Sequence, residues 1–302
     1  NSSTADGDYS NALGDNSNAN GTASIAIGTN SQTDGNNSIS VGSGTTAIGN
    51  GSIAMGLNST ATGDGSVAMG GNAQTTGARS VAMGGNAFAS GEYSISLGLN
   101  TSAQGDASVA LGQGTQATDD NATAIGIFTT ADAPGAVSLG TQTNARGTNS
   151  LAGGDGSLST SIASFSFGGQ TQAQADFTVA MGVLTRAQAI AATAMGDSTW
   201  AHGEASTAIG FNTEASTDYS TAMGDSTTSS GNASTSMGGN TEASGDRSVA
   251  MGQNTIASGA QSFAMGQGTQ ASGNNSTAMG QSTIASGDKS FAIGDGTESS
   301  GN

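Results

Sequence analysis

The chain has no cysteine, one proline, one tryptophan, one histidine and only five lysines and arginines in 302 residues. Without cysteine there are no disulfides to indicate a compartment, and the absence is compatible with the outside of a bacterium. Five bases against 22 acids leave a net charge of −17. Such a surface repels nucleic acid and anionic lipid, so neither is expected as a partner. No run of about 18 apolar residues offers a membrane-crossing helix. No signal-peptide pattern and no heptad stretch is recognisable. Membrane insertion by these residues is not expected, and any export or anchoring parts are expected outside them. Aromatics make up 4% and charged residues 9%. So few large apolar residues would signal disorder, were it not for what the chain has in excess: 50 glycines, many of them in strict order.

Ser66-Val67-Ala68-Met69-Gly70 returns fourteen residues later as Ser80-Val81-Ala82-Met83-Gly84. Every multiple of fourteen is glycine, from Gly14 to Gly294, 21 positions without insertion or deletion. Number each repeat so that this glycine is position 14. Position 7 is usually glycine too, lapsing at Asp119, Ala133, Ser161, Ala175, Ala189 and Thr217. Position 12 is always Ala or Ser, and positions 3, 5 and 10 are mostly Ser, Thr or Ala. Position 13 is large and apolar in 20 of 21 copies, Gly153 being the exception, and it holds all ten methionines. Position 11 is Val, Ile, Leu or Phe in 14 copies and Thr in six.

Positions 10 to 14 therefore alternate small and large, the period of a β-strand. Positions 3 to 6 predict a second short strand. Turns are expected at 7–9 and 14–2, where Gly, Asn and Asp reach the positive-φ conformations of tight turns. The expected fold is all-β: a parallel solenoid of 14-residue coils, two short strands per coil. It is read as one repeat domain over residues 1–302, about 21 coils stacked roughly 4.8 Å apart into a rod on the order of 100 Å. Residues 119–196 are the least regular stretch, with most half-repeat glycines missing and Pro134, Phe128, Phe165, Phe167 and Phe177 falling there.

Small residues at 3, 5, 10 and 12 are expected to line the inside of a thin roll. Positions 11 and 13 then point outward as one apolar stripe. Its members include Ile53 and Met55, Val67 and Met69, Val81 and Met83, and Val109 with Leu111. They continue through Phe165 and Phe167, Val179 and Met181, Val249 and Met251, Phe263 and Met265, and Phe291 with Ile293. A hydrophobic ribbon of this length is not expected to stay exposed on a monomer. Burial of such side chains at about 1.5–3 kcal/mol each predicts an obligate, closed oligomer.

The segments "NNSISVG", "DGSVAMG", "DASVALG" and "DRSVAMG", each followed by a polar stretch such as "QNTIASG", resemble the YadA-like head repeats of trimeric autotransporter adhesins. The resemblance covers essentially the whole chain. It implies a left-handed β-roll and a homotrimer with the apolar strand on the three-fold axis. It also implies display at the surface of a Gram-negative bacterium, through a stalk and an outer-membrane anchor. Such heads bind extracellular matrix, host cells or one another. This chain differs from the family in its length, its unbroken phase and its acidity.

Trp200 and His202 share the outward face of one short strand, at positions 4 and 6, flanked by Arg186 and Glu214 in the adjoining coils. An exposed tryptophan between charges has the composition of an interaction hot spot, and these four residues are the candidate receptor surface. Residues 119–196 offer a second candidate zone, or simple drift in a tolerant repeat. Position 8 is acidic in ten copies, among them Asp64, Asp106 and Asp218. Many other copies are Asn, Ala or Thr, and a solvated edge is expected there rather than a calcium site. A lone histidine is no catalytic set, and no nucleophile–base pair is evident. No enzyme activity, cofactor or metal is expected. The functional expectation is an extracellular adhesin head, with a purely structural rod of a fibre, spike or phage as the alternative.

Overall fold

A computed structural model describes residues 2–301. The chain divides into two compact units, Asn1–Asn149 and Ser150–Asn302. Both are built in the same way, from short parallel strands and no helix.

Each coil contributes one long and one short strand. The long one runs typically over five residues, as in Ile53–Leu57 and Val249–Gln253; the short one has two, as in Thr60–Ala61 and Ile256–Ala257. Residues fourteen apart pair in parallel register. In the first unit Val67, Ala68 and Met69 face Ile53, Ala54 and Met55. In the second, Val249, Ala250 and Met251 face Phe263, Ala264 and Met265. A strict 14-residue repeat thus places identical chemistry in vertical ladders, and each coil completes its hydrogen bonds only through its neighbours.

The inside is as thin as the sequence implies. Positions 3, 5, 10 and 12 are buried: Thr241, Ala243, Ser248 and Ala250 have at most 2% exposure. The largest fully buried side chains are all threonine. Where position 12 is serine, its hydroxyl meets a position-3 hydroxyl across the interior. Ser40 pairs with Ser31, Ser96 with Thr101, Ser138 with Thr143, Ser166 with Thr171 and Ser236 with Thr241, all at 2.6–2.8 Å. Where position 12 is alanine, position-3 hydroxyls such as Thr115, Thr129, Thr213 and Thr255 have no partner.

Turns fall at positions 7–9 as expected, while the corner after the long strand starts later than expected in most coils. Left-handed residues recur every seventh position from Tyr9 to Gly296, with φ between +49° and +67°. They occupy positions 2 and 9, not the glycines at 7. Asn is frequent at position 2 because its short polar side chain tolerates this conformation, and Asn16, Asn72 and Asn86 donate to the Asn one coil on. Position 14 was expected to begin a turn. In most coils it lies inside the long strand, which continues to position 1. There glycine is required twice over: Gly210 has φ +134°, and a Cβ would sit 1.9 Å from the carbonyl oxygen of Gly224. Glycine at position 7 answers to closeness alone, for a Cβ on Gly63 would lie 2.1 Å from Gly77 O. Where it lapses, Ser161 and Thr217 bond the next coil through their own hydroxyls, to Gln174 O and Gly231 O.

Candidate functional site

Two surfaces carry the candidate residues. The first is the outward face of the long strands. In the isolated chain Ile53, Met55, Val67, Met69, Val81, Val109, Phe165, Val179, Met181, Val249, Met251 and Phe263 are half-buried, leaning on the same residues of adjoining coils. Met83, Leu111, Phe167, Met265, Phe291 and Ile293 are exposed, Phe167 to 46% and Phe291 to 65%. The alternation places all of them opposite the interior, as the small–large pattern required. The missing side chain at Gly153 is covered from the next coil. The Phe167 ring lies over Gly153 so closely that a Cβ would be 2.5 Å from it, and it stacks beside Phe165 at 6.3 Å.

The apolar residues reach beyond the 11/13 stripe only in places. The strand passes through the position-14 glycine in most coils, and in five coils position 1 is also large and apolar: Leu57, Leu99, Ile127, Val183 and Phe211 are all about half exposed. Reading position 1 as turn had set these residues aside. After the other position-14 glycines position 1 is Asp, Gln, Gly, Ser or Thr, so no periodic signal marked these five.

The second surface lies on the short strands of the second unit. Arg186, Trp200 and Glu214 stand in adjacent register, as expected of position-4 residues. The Arg186 guanidinium carbon is 5.7 Å from the Trp200 ring centroid, a cation–π distance. His202 meets the ring edge-on at 5.9 Å. Its Nε2 is 3.7 Å from Glu214 Oε1, and its Nδ1 is hydrogen-bonded to Gln188. Arg186 is in turn tethered to Gln172 Oε1 at 3.2 Å. The structure therefore brings together all four sequence-named residues and adds Gln172 and Gln188. Those two follow from the same register rule, one coil below Arg186 and His202.

Beside Trp200 lies a groove of about 330 Å³, lined by Ser198, Asn212, Thr213, Glu214, Ser226, Thr228 and Asn240 as well as the tryptophan. A second hollow of about 200 Å³ shares Ser226, Thr228 and Asn240 with it and reaches Glu242, Asn254 and Ile256. Positions 2 and 4 form the two walls, because they flank the inward-pointing position 3. Sequence reasoning named the tryptophan but not this channel.

The other two zones keep the geometry of the common coil. Position-8 side chains accept the backbone N–H of the position-8 residue one coil earlier: Asp64 from Asn50, Asp106 from Glu92, Asp218 from Glu204. Asn36 and Asn274 do the same for Thr22 and Ala260. Asp and Asn thus serve one end. Among the described residues no cluster of three or more His, Asp or Glu side chains is arranged to hold a metal. Residues 119–196 keep the common coil, with Phe165–Gly169 in full register with Val179–Val183. Pro134 sits at position 8, where other residues bring an N–H that needs an acceptor.

Fourteen-residue coils, a small-residue interior and an apolar outward strand define a repeat domain of the parallel β-solenoid class. No helix of the described residues is long and apolar enough to cross a membrane. The chain belongs to the YadA head family. The model described as "YadA head domain repeat (2 copies)" matches residues 5–31, 19–45, 46–73, 76–101, 103–128 and 131–157, then overlapping spans from 187 to 297. The unmatched stretch 158–186 falls inside the least regular region. The family is a structural, adhesin-type domain. No curated protein gives a match.

Proposed function

We propose that the chain is the head of a trimeric surface adhesin: a left-handed β-roll whose apolar face packs on a three-fold axis. The short strands and their polar corners then face the surroundings and make the contacts of attachment, at the surface of a bacterium. One observation carries this reading. The apolar face recurs at every coil of a YadA head repeat, yet in the single chain it has nothing over it. An uncovered ribbon of Val, Met, Leu and Phe favours self-association, and closed symmetry satisfies it without leaving an end. The outward strand opposite it is mostly polar and stays wet.

The test uses the purified chain on surfaces coated with host cells, with matrix proteins, or with bacteria displaying the same chain. Saturable retention on at least one of them, absent from a stripe variant that no longer assembles, is the expected result. A folded assembly that adheres to none would leave a structural rod instead.

A further inference from the structure

The groove beside Trp200 has a composition that the solenoid itself does not require. Elsewhere position 4 is mostly polar or charged, with Phe88, Leu158, Ile256 and Ile284 as its large apolar members and no other tryptophan. Here the ring is 43% exposed. Arg186 stands over it from the coil before, and His202 closes one edge. Apart from Ser198 in its own coil, the groove residues come from the coils after it. Arg186 and His202 thus restrict the ring while it lines the groove, which lowers the ordering cost of a ligand.

From the ring onward the channel carries hydroxyls and carboxamides, Ser226, Thr228, Asn212 and Asn240, and the carboxylate of Glu214. These are paired donors and acceptors at one-coil intervals, about 4.8 Å. That spacing is close to the rise of one pyranose in an extended β-1,4 chain. No lysine or arginine lines either hollow, and the chain carries −17 overall. An anionic ligand would meet the carboxylates of Glu214 and Glu242. A basic peptide would gain from those carboxylates, but Glu214 is already engaged by Ser216 and lies beside His202. The channel also has few apolar hollows for peptide side chains. A sugar suits both parts: its C–H face stacks on the electron-rich ring, and its hydroxyls replace water on the hydroxyl and amide floor.

We propose that this groove binds a neutral, extended oligosaccharide, one pyranose stacked on Trp200 and the next units lying along Ser226, Thr228 and Asn240. The inference deepens the adhesive reading by naming the ligand class, and rests on it only for biological purpose. Trp200 is the sole tryptophan, so its fluorescence reports this groove alone.

The experiment titrates the intact protein with two neutral β-1,4 tetrasaccharides, cellotetraose and chitotetraose in its N-acetylated form. Oligogalacturonate serves as the anionic control and oligolysine as the cationic one. Expected is a saturable change in tryptophan emission with at least one neutral sugar, half-complete at roughly 1 mM or below. By calorimetry, W200A should lose binding at least tenfold while W200F keeps part of it. Both variants should keep the wild-type circular dichroism and melting midpoint, since the ring is not core. No response to either sugar, or calorimetric binding unchanged in W200A, overturns the proposal. A response to oligolysine alone also overturns it and gives the groove to basic peptides. Adhesion is scored separately. Wild-type retention without binding of either sugar removes the groove proposal and leaves the adhesive head. Sugar binding without retention does the reverse.

Discussion

Glycine does two different jobs within one repeat, and substitution separates them. At Gly210 the backbone takes φ +134°, a region L-residues rarely enter, and the next coil's carbonyl occupies the space of a Cβ. Gly210→Ala should cost more than about 3 kcal/mol, from strain and overlap together. At Gly51 the φ is +67° and nothing lies within 4 Å of a Cβ. Gly51→Asn should stay within about 1 kcal/mol, since Asn fills this left-handed corner type elsewhere. Urea midpoints of both variants at one protein concentration check the contrast. The position-8 acids make a second residue-scale claim. Asp106→Ala strands the Glu92 N–H and should cost about 1 kcal/mol, whereas Asp106→Asn keeps the acceptor and should cost little. The fourteen-residue spacing of glycine was legible in the sequence, but its reason was not. Composition shows that Gly is needed; only the register of the next coil shows that its carbonyl is what excludes a side chain.

At the scale of the coil, the interior is a layer of small side chains whose width the backbone sets. Alanine at position 12 touches the opposite strand, so Ala250→Leu has no room and should destabilise by roughly 1–3 kcal/mol or more. Ser96→Ala tests the hydroxyl pairing: it leaves Thr101 without its partner and should cost about 1 kcal/mol. Its effect on the thermal midpoint should vanish in the double variant with Thr101→Val, which removes both polar groups. The inward set at 3, 5, 10 and 12 was readable from period-two alternation, because period two fixes which side chains share a face. The long strand's true end was not. A glycine–polar pair reads as a turn, yet Gly112-Gln113 and Gly196-Asp197 are strand, as is Gly56-Leu57. The same misreading hid Leu99 and Phe211 from the apolar face. The ladder Arg186, Trp200, Glu214 was legible from phase alone. The groove was not, because it depends on how far the corner at Asn212 and Asn240 stands proud of the strand, which a repeat pattern does not encode.

For the molecule as a whole the governing fact is an apolar face with no cover in a single chain. Family membership supplies a trimer as the usual cover, and the exposure of Met83, Leu111 and Phe167 supplies the driving force. Charges placed on that face should undo it. Met69→Asp with Met251→Asp puts one carboxylate into each unit's stripe without touching the small-residue interior, so coils should still form while assembly is lost. The most direct test of this account is absolute mass in solution, by light scattering on the purified chain and on that double variant. The account predicts a mass near three times 28.8 kDa for the wild type and a lower mass for the variant. A folded, soluble wild-type monomer would contradict it, for the Val and Met stripe would then lie open to water with nothing gained from its burial.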